Sequence, residues 1–268
     1  MPDASSQFVG DIPHHYDTGL GPNIFVDYAV DTARRAAAFR PARVLELAAG
    51  TGIVSRKLRD ALPEASTLTV TDLNAPMLDV ARTKFAESEK VAFAVADAMQ
   101  LDFPAQSFDL IVCQFGVMFF PDRRASFREA LRVLTPGGAY LLGAWGTMDE
   151  NPYARVAYDV GAHFCPDDPP AFYRVPFSCA DAAPLIADLK GAGFSAVSHE
   201  VLKRKKRVDD ISVFARGLVY GNPMIGEIAK RGLDPEEVVR TIEQRLAATL
   251  GPTQIMPRTA HLFTCLKG

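Results

Sequence analysis

An apolar stretch carrying a single acid, Val44–Leu45–Glu46–Leu47, runs straight into the small-residue turn Ala48–Ala49–Gly50–Thr51–Gly52, and a helix is predicted to start near Ile53. A strand that ends in such a turn and reverses into a helix is the opening unit of a nucleotide-binding α/β sheet. Small residues let the backbone approach a ligand, and the helix N-terminus presents unpaired N–H groups. The acid narrows the ligand. A carboxylate near the strand end repels pyrophosphate but suits a ligand that carries an ammonium and a sulfonium. That points to S-adenosylmethionine (SAM) rather than a dinucleotide. A dinucleotide fingerprint would also want glycines at the positions of Ala48, Gly50 and Ile53, and only Gly50 is one.

The following residues repeat the unit. Strands are predicted at 44–48, 67–71 with Asp72 at its end, 91–95 followed by Asp97, 108–113, and 139–145. Helices are predicted at 27–39, 53–61, from a cap at Asn74 with Pro76 in its first turn, and at about 122–134. Residues 98–107 read as a loop, and Thr135–Pro136–Gly137–Gly138 as a turn. Strands this apolar, separated mostly by helices, imply a parallel sheet covered on both faces. Ligands of such sheets lie outside the carboxyl ends of the strands. Glu46, Asp72, Asp97 and Gln114 all fall at or near those ends, from four consecutive strands.

The flanks are less regular. Residues 1–24 read as an irregular lead-in with a turn signal at Gly19–Leu20–Gly21–Pro22. Residues 147–180 are rich in Pro and aromatics without a clear period. A helix at 181–191, a strand near 194–202, a largely helical stretch over 209–250 and a closing strand at 261–265 complete the chain. The expected organisation is one domain over 1–268. Residues 1–26 form a lid, 27–146 the ligand-binding core, and 147–180 and 209–255 are substrate-side insertions.

Composition bounds the function. The chain has 268 residues, is 48% hydrophobic and carries a net charge of −3, which gives no global attraction to nucleic acid or anionic membrane. No run is long enough for a membrane span, the start lacks a signal-peptide pattern, and the four cysteines lack metal-ligand or paired spacing. Cys113 and Cys265, in apolar strand-like runs, are expected in the core. A cytoplasmic protein without a metal is expected, and its oligomeric state is left open, a homodimer included.

A SAM site has separable needs. Asp72 is placed to accept both ribose hydroxyls. Leu73 and Met77 would form one wall for adenine. Asp97 would accept from its exocyclic amine, with Ala98 and Met99 as the other wall. Carbonyls of the 48–50 turn and of Gln114 would accept from the ammonium, and Glu46 would hold the turn by accepting its N–H groups. Asp109, near a strand start, reads as structural.

In these features the sequence resembles the class I SAM-dependent methyltransferases. Glu46-x-x-x-Gly50-x-Gly52 is similar to that family's first motif. Asp72, Asp97 and Phe108–Asp109–Leu110–Ile111–Val112 are similar to later ones, and Pro136–Gly137–Gly138 to the turn before its fifth strand. The resemblance covers about residues 40–146 and is strongest to the branch that includes ubiquinone and menaquinone C-methyltransferases. The family usually has Gly where this chain has Ala48. The resemblance implies a Rossmann-like, doubly wound seven-stranded sheet of order 3-2-1-4-5-7-6 with an antiparallel last strand. It also implies SAM as methyl donor, S-adenosylhomocysteine as product, and a lid role for Tyr16 over the methionine end.

Methyl transfer from a sulfonium is an in-line displacement that needs alignment and exclusion of water. Phe115, Met118, Phe119 and Trp145 are expected to line the acceptor pocket. His14 and His15 are candidates for a general base beside Tyr16, while His163, His199 and His261 rank lower. The leading expectation is methylation of C, O or N of a small metabolite. An RNA-modifying enzyme would need the basic run Lys203–Arg204–Lys205–Lys206–Arg207 beside the pocket; the plainer reading is an exposed strand edge. A SAM-binding regulatory protein without turnover is the third reading, and a nicotinamide oxidoreductase the last.

Overall fold

The computed structural model describes residues 6–268, so the first five residues of the expected lid lie outside the described residues. One sheet of seven strands has the order β3-β2-β1-β4-β5-β7-β6. Its strands are β1 (Arg43–Glu46), β2 (Thr67–Asp72), β3 (Val91–Val95), β4 (Phe108–Gln114), β5 (Leu134–Trp145), β6 (Ala196–Arg207) and β7 (Ile255–Leu266). The first five run parallel, and β7 is antiparallel to both its neighbours. Strand order and the reversed last strand match the expectation.

Side chains alternate across each strand. Val44, Leu68, Val70, Leu110 and Val112 pack on one face with Ala29, Ala33 and Ala36 of α2 (Val26–Ala38) and Leu58 of α3 (Ile53–Ala61). Leu45, Ile111, Cys113, Tyr140 and Leu142 face the opposite side. There they meet Phe127 and Ala130 of α5 (Arg123–Val133) and Leu185 and Leu189 of α7 (Ala182–Ala192). The small alanine face of α2 lets that helix lie close against the sheet. Cys113 and Cys265 are buried as expected. Asp109 is structural, accepting from Ala42 N and Arg43 N and pairing with the Arg43 guanidinium.

Four elements differ from the sequence reading. The lead-in is helical rather than irregular: α1 (Ile12–His15) passes into a π-helical stretch, Tyr16–Phe25, and on into α2. Pro22 lacks an N–H, and the wide turn accommodates it. Gly19 also allows close packing here, since a Cβ on it would lie 2.7 Å from Gly217 Cα in α8 (Ile211–Tyr220). Strand β5 starts at Leu134, not Ala139, because the Pro136–Gly137–Gly138 turn is absorbed as a bulge. Gly137 N donates to Lys267 O, and Lys267 N donates to Gly138 O. The stretch after β5 contains α6 (Pro152–Phe164), whose buried Tyr153, Ala154, Val156, Ala157 and Val160 keep a helical period behind an opening proline. Finally, β6 and β7 are twelve-residue strands paired along their whole length, so the basic run lies within β6 at the sheet edge.

The helix α4 (Ala75–Arg82) does begin after Asn74, but the Asn74 side chain makes no capping bond. It bonds the lead-in instead, accepting from Phe8 N at 3.2 Å and donating to Ser6 O at 3.1 Å. The second insertion folds as α8, α9 (Met224–Lys230) and α10 (Pro235–Leu250), with α10 packed on α6 and α8. Among the described residues no helix is long and apolar enough to cross a membrane.

One buried cation ties the lead-in to the sheet. Arg258 on β7 is fully buried; it donates to Asn23 O at 2.9 Å and to the Asp27 carboxylate. Replacing it with Met strips both partners of their donor. Arg258→Met is expected to cost about 2–3 kcal/mol, toward the lower end for a broken buried pair because Asp27 keeps some water. Equilibrium urea unfolding measures this, and a loss below about 0.5 kcal/mol would show that the tie is not a source of stability.

Candidate functional site

The turn after β1 is built on backbone that L-residues rarely adopt. Ala48 and Gly50 have φ of 52° and 58°. For alanine the left-handed region costs about 1–2 kcal/mol, and the structure makes room for its methyl group. A Cβ on Gly116 would lie only 2.4 Å from Ala48 Cβ, so the side chain at 48 depends on the lack of one at 116. Ala49 N donates to Thr71 O at 2.9 Å and Gly50 N donates to Asp72 Oδ2 at 2.8 Å. The other oxygen of Asp72 accepts from Asn74 N at 2.8 Å.

These groups open on a cavity of about 400 Å³ at the carboxyl ends of β1 to β4. Among the expected binding residues Ala48, Gly50, Asp72, Leu73, Met77, Asp97, Ala98, Met99 and Tyr16 all line it. Leu73 is 43% exposed and forms the rim, whereas Met77 is buried. Asp97 holds its own loop by accepting from Met99 N at 2.8 Å. Phe8, Asn74, Gly116, Phe120 and Pro121 line the cavity too and were missed. Phe8 lies in the lead-in without a local pattern, and its place follows from the Asn74 bond.

Several expected residues lie elsewhere. Gly52, at φ 79°, starts α3 against Ala81 and does not reach the cavity. The Gln114 side chain turns away and accepts from Thr32 Oγ1 at 2.8 Å. Met118 is buried but lines neither cavity. His14 is exposed, and His15 packs beside Tyr220 at 5.3 Å. Successive helical residues point in different directions, so as Tyr16 turns inward the two histidines turn outward. Neither borders the larger cavity or the smaller chamber beside it, so the structure does not bring them to the site as bases. The basic run of β6 borders neither of these cavities. Instead Arg204 approaches Asp31 of α2 at 3.5 Å.

A second, smaller chamber of about 60 Å³ adjoins the first, and Phe8, Tyr16, Phe115 and Phe119 line both. Trp145 lies in its wall, stacked on Phe115 at 3.8 Å and 2°. The far wall comes from the insertions through Tyr153, Phe172, Phe177 and Leu218. Among the described residues lining it, none is a carboxylate, histidine, lysine or cysteine. Its polar groups are Tyr16, Tyr153, Tyr173 and Asn222, and the last two bond each other at 3.3 Å. Burial, helped by the nearby Asp72 charge, pushes the Tyr16 hydroxyl well above its ordinary pKa and keeps it protonated. Next to it, Asp17 accepts from Thr51 Oγ1 at 2.7 Å and pairs with Lys84, which latches the lead-in to the turn.

Glu46 lies beneath the turn and does not bond its N–H groups, contrary to expectation. That work falls to Asp72. Glu46 is 1% exposed, and its Oε2 has no hydrogen-bond partner. Burial, with a smaller push from Asp72, raises its pKa to about 8. Asp72 is itself raised by burial, and no cation pairs with either acid among the described residues. A buried acid at the cavity wall, Asp72, without a cation among the described residues and beside a cavity of this size, fits a positively charged nucleoside such as SAM. Since the folded pKa of Glu46 lies above its unfolded value, the folded state holds an extra proton between the two, and rising pH favours unfolding there. The stability of wild type relative to Glu46→Gln is therefore expected to fall from about pH 5 to pH 8 and then level off. Thermal melts across that range read the difference, and a constant difference would place the Glu46 pKa in the ordinary carboxylate range.

Comparison with known proteins agrees with this geometry. Residues 44–138 match a family model described as a methyltransferase domain. A demethylmenaquinone methyltransferase of Thermus thermophilus is 36% identical over 187 residues, covering 65% of this chain and 82% of that protein. One of Deinococcus radiodurans is 39% identical over 111 residues, covering 41% and 46%. The chain thus spans about half the length of several of the curated relatives it matches. Among solved structures, the YcgJ protein of Bacillus subtilis has the same fold, with a TM-score of 0.60, 22% identity, and coverage of 90% of this chain and 98% of that one. The strand order, the left-handed turn over a strand-end acid and these similarities together place the chain in the class I SAM-dependent methyltransferases, within the branch of the ubiquinone and menaquinone C-methyltransferases.

Proposed function

We propose that this protein transfers the methyl group of SAM to a small apolar, ring-bearing metabolite held in the inner chamber. The observation that carries this reading is the shared wall of Phe8, Tyr16, Phe115 and Phe119 between a nucleoside-sized cavity and a smaller aromatic one. In-line displacement needs donor and acceptor to meet within about 3–3.5 Å in a dry space, and two adjoining chambers provide that meeting point.

In this reading the free lone pairs of Asp72 accept the ribose hydroxyls. Leu73 and Met77 flank adenine on one side and Ala98 and Met99 on the other, with Asp97 facing its amine. Carbonyls of the 48–50 turn take the ammonium, and Asp72 adds a favourable field. SAM supplies the electrophilic methyl, and the protein supplies position. In this reading the acceptor arrives nucleophilic, as an electron-rich ring carbon, an ionised oxygen or a neutral amine, since no carboxylate, histidine, lysine or cysteine lines the inner chamber among the described residues. Relatives named for quinone methylation favour carbon. The protonated hydroxyls of Tyr16 and Tyr153 would orient the acceptor as hydrogen-bond donors.

Calorimetry with S-adenosylhomocysteine tests the donor site. Asp72→Asn keeps the side-chain shape but loses acceptor strength toward the ribose and Gly50 N. Affinity is expected to fall about ten- to a hundredfold, the equivalent of about 1.5–3 kcal/mol. Unchanged affinity in the folded variant would remove Asp72 from the site. Thermal stabilisation by SAM and S-adenosylhomocysteine but not NADH is expected as well, and a response to NADH alone would overturn the reading.

A further inference from the structure

Phe177 borders two spaces at once. On its inner side it closes the aromatic chamber, with ring centroids 6.4 Å from Trp145 and 6.3 Å from Tyr153. On its outer side it lines an open groove of about 380 Å³. That groove runs between Thr147 and Met148 after β5, Arg155 and Tyr158 on α6, and Arg174 and Ala180 on the following segment. The Phe177 ring thus lies between an apolar chamber and a polar surface.

The two arginines of the groove differ. Arg155 is matched by Asp149 at 2.9 Å and by Asp159 at 3.9 Å. Arg174 has no carboxylate within ion-pair distance among the described residues. Its guanidinium packs over the Tyr158 ring at 5.3 Å and donates to the Tyr158 hydroxyl through Nε and one terminal nitrogen. Five donors are available in that fork, and the Tyr158 bonds use only part of it where Arg174 lines the groove. A guanidinium held beside an aromatic ring, with part of its fork unclaimed, is suited to a carboxylate or phosphate. The groove walls are anchored. Ala180 O accepts from His261 Nε2 at 3.0 Å, and Thr147 O accepts from Asn151 Nδ2 at 2.8 Å.

The inner chamber, at about 60 Å³, is tight for a ring; an apolar cavity of about 150 Å³ is one known to take up benzene. Some wall has to yield. Phe8, Tyr16, Phe115 and Phe119 have the larger cavity behind them, and on the opposite side Phe177 has the open groove behind it. We propose that the groove is a subsite for the anionic tail of the methyl acceptor. The apolar head occupies the inner chamber, a short linker passes Phe177, and a terminal carboxylate or phosphate rests on Arg174. This rests on the reading of the inner chamber as the acceptor site.

Trp145 is the only tryptophan in the chain and lies in the chamber wall, so its fluorescence reports what enters. The protein, with and without S-adenosylhomocysteine, is titrated with ω-phenylalkanoates from phenylacetate to 8-phenyloctanoate, with the matching phenylalkanols, and with the matching phenylalkyl phosphates. Within one window of chain length an anionic member is expected to bind at least about fivefold tighter than its alcohol, a modest factor because Arg174 is exposed. The advantage disappears in Arg174→Gln while the alcohol is unaffected, and the tighter of the two anionic series identifies the tail. Equal binding of anion and alcohol at every length, an advantage that survives Arg174→Gln, or no response of Trp145 to any compound would each overturn the subsite. S-adenosylhomocysteine binding, measured by calorimetry on the same samples, separates the two readings. Its loss speaks against the donor site, whereas its retention without tail preference speaks against the groove alone.

Discussion

The site depends on one buried carboxylate. Asp72 is 7% exposed and ends β2, yet directly or through Asn74 it ties together three other parts of the fold. Through Gly50 N it fixes the strained turn after β1, and through Asn74 N it fixes the start of α4. The Asn74 side chain then holds the lead-in at Ser6 and Phe8. No cation neutralises Asp72 among the described residues, so backbone and amide N–H groups alone compensate its desolvation. Such compensation is partial, and it leaves a negative field aimed into the cavity. The same group that assembles floor, wall and roof also sets the electrostatic preference of the space they enclose.

What could be read from the sequence was what short-range periodicity encodes. The strands β2 and β3, the helix α3 and the strand-end acids come from apolar runs bounded by turn residues. Their positions follow from the handedness of the crossover between parallel strands. Nine of the expected donor-site residues line the larger cavity for that reason. Direction was less legible. Whether Gln114 faces the ligand or Thr32, and whether His15 or Tyr16 faces inward, depends on a turn of one residue and on packing from distant elements. The role given to Glu46 passed to Asp72 because hydrogen-bond partners across neighbouring strands leave no local trace. In α6 the helical period was present, but an opening proline obscured it.

The inner chamber was least legible. Its walls join Phe8, Trp145, Phe172 and Leu218, residues that share no local motif. They meet because the lead-in and both insertions fold over the same end of the sheet. The two halves of the site therefore have different origins. The turn and strand ends within the matched methyltransferase domain build the larger cavity, and segments mostly outside it build the smaller chamber. Similarity to quinone methyltransferases is strong in the first half and carries less about the second.

The close approach of Gly19 and Gly217 has a consequence for movement. With 2.7 Å between a hypothetical Cβ on one and the Cα of the other, the π-helical lead-in and α8 meet backbone to backbone and leave no room for sliding. Residues near that contact roof both spaces, Tyr16 over the larger and Leu218 over the smaller. The two roofs are mechanically one piece, so an opening that releases the nucleoside product also loosens the chamber beside it. Turnover in such a molecule would be paced by a single cover, with departure of one product coupled to exchange of the other.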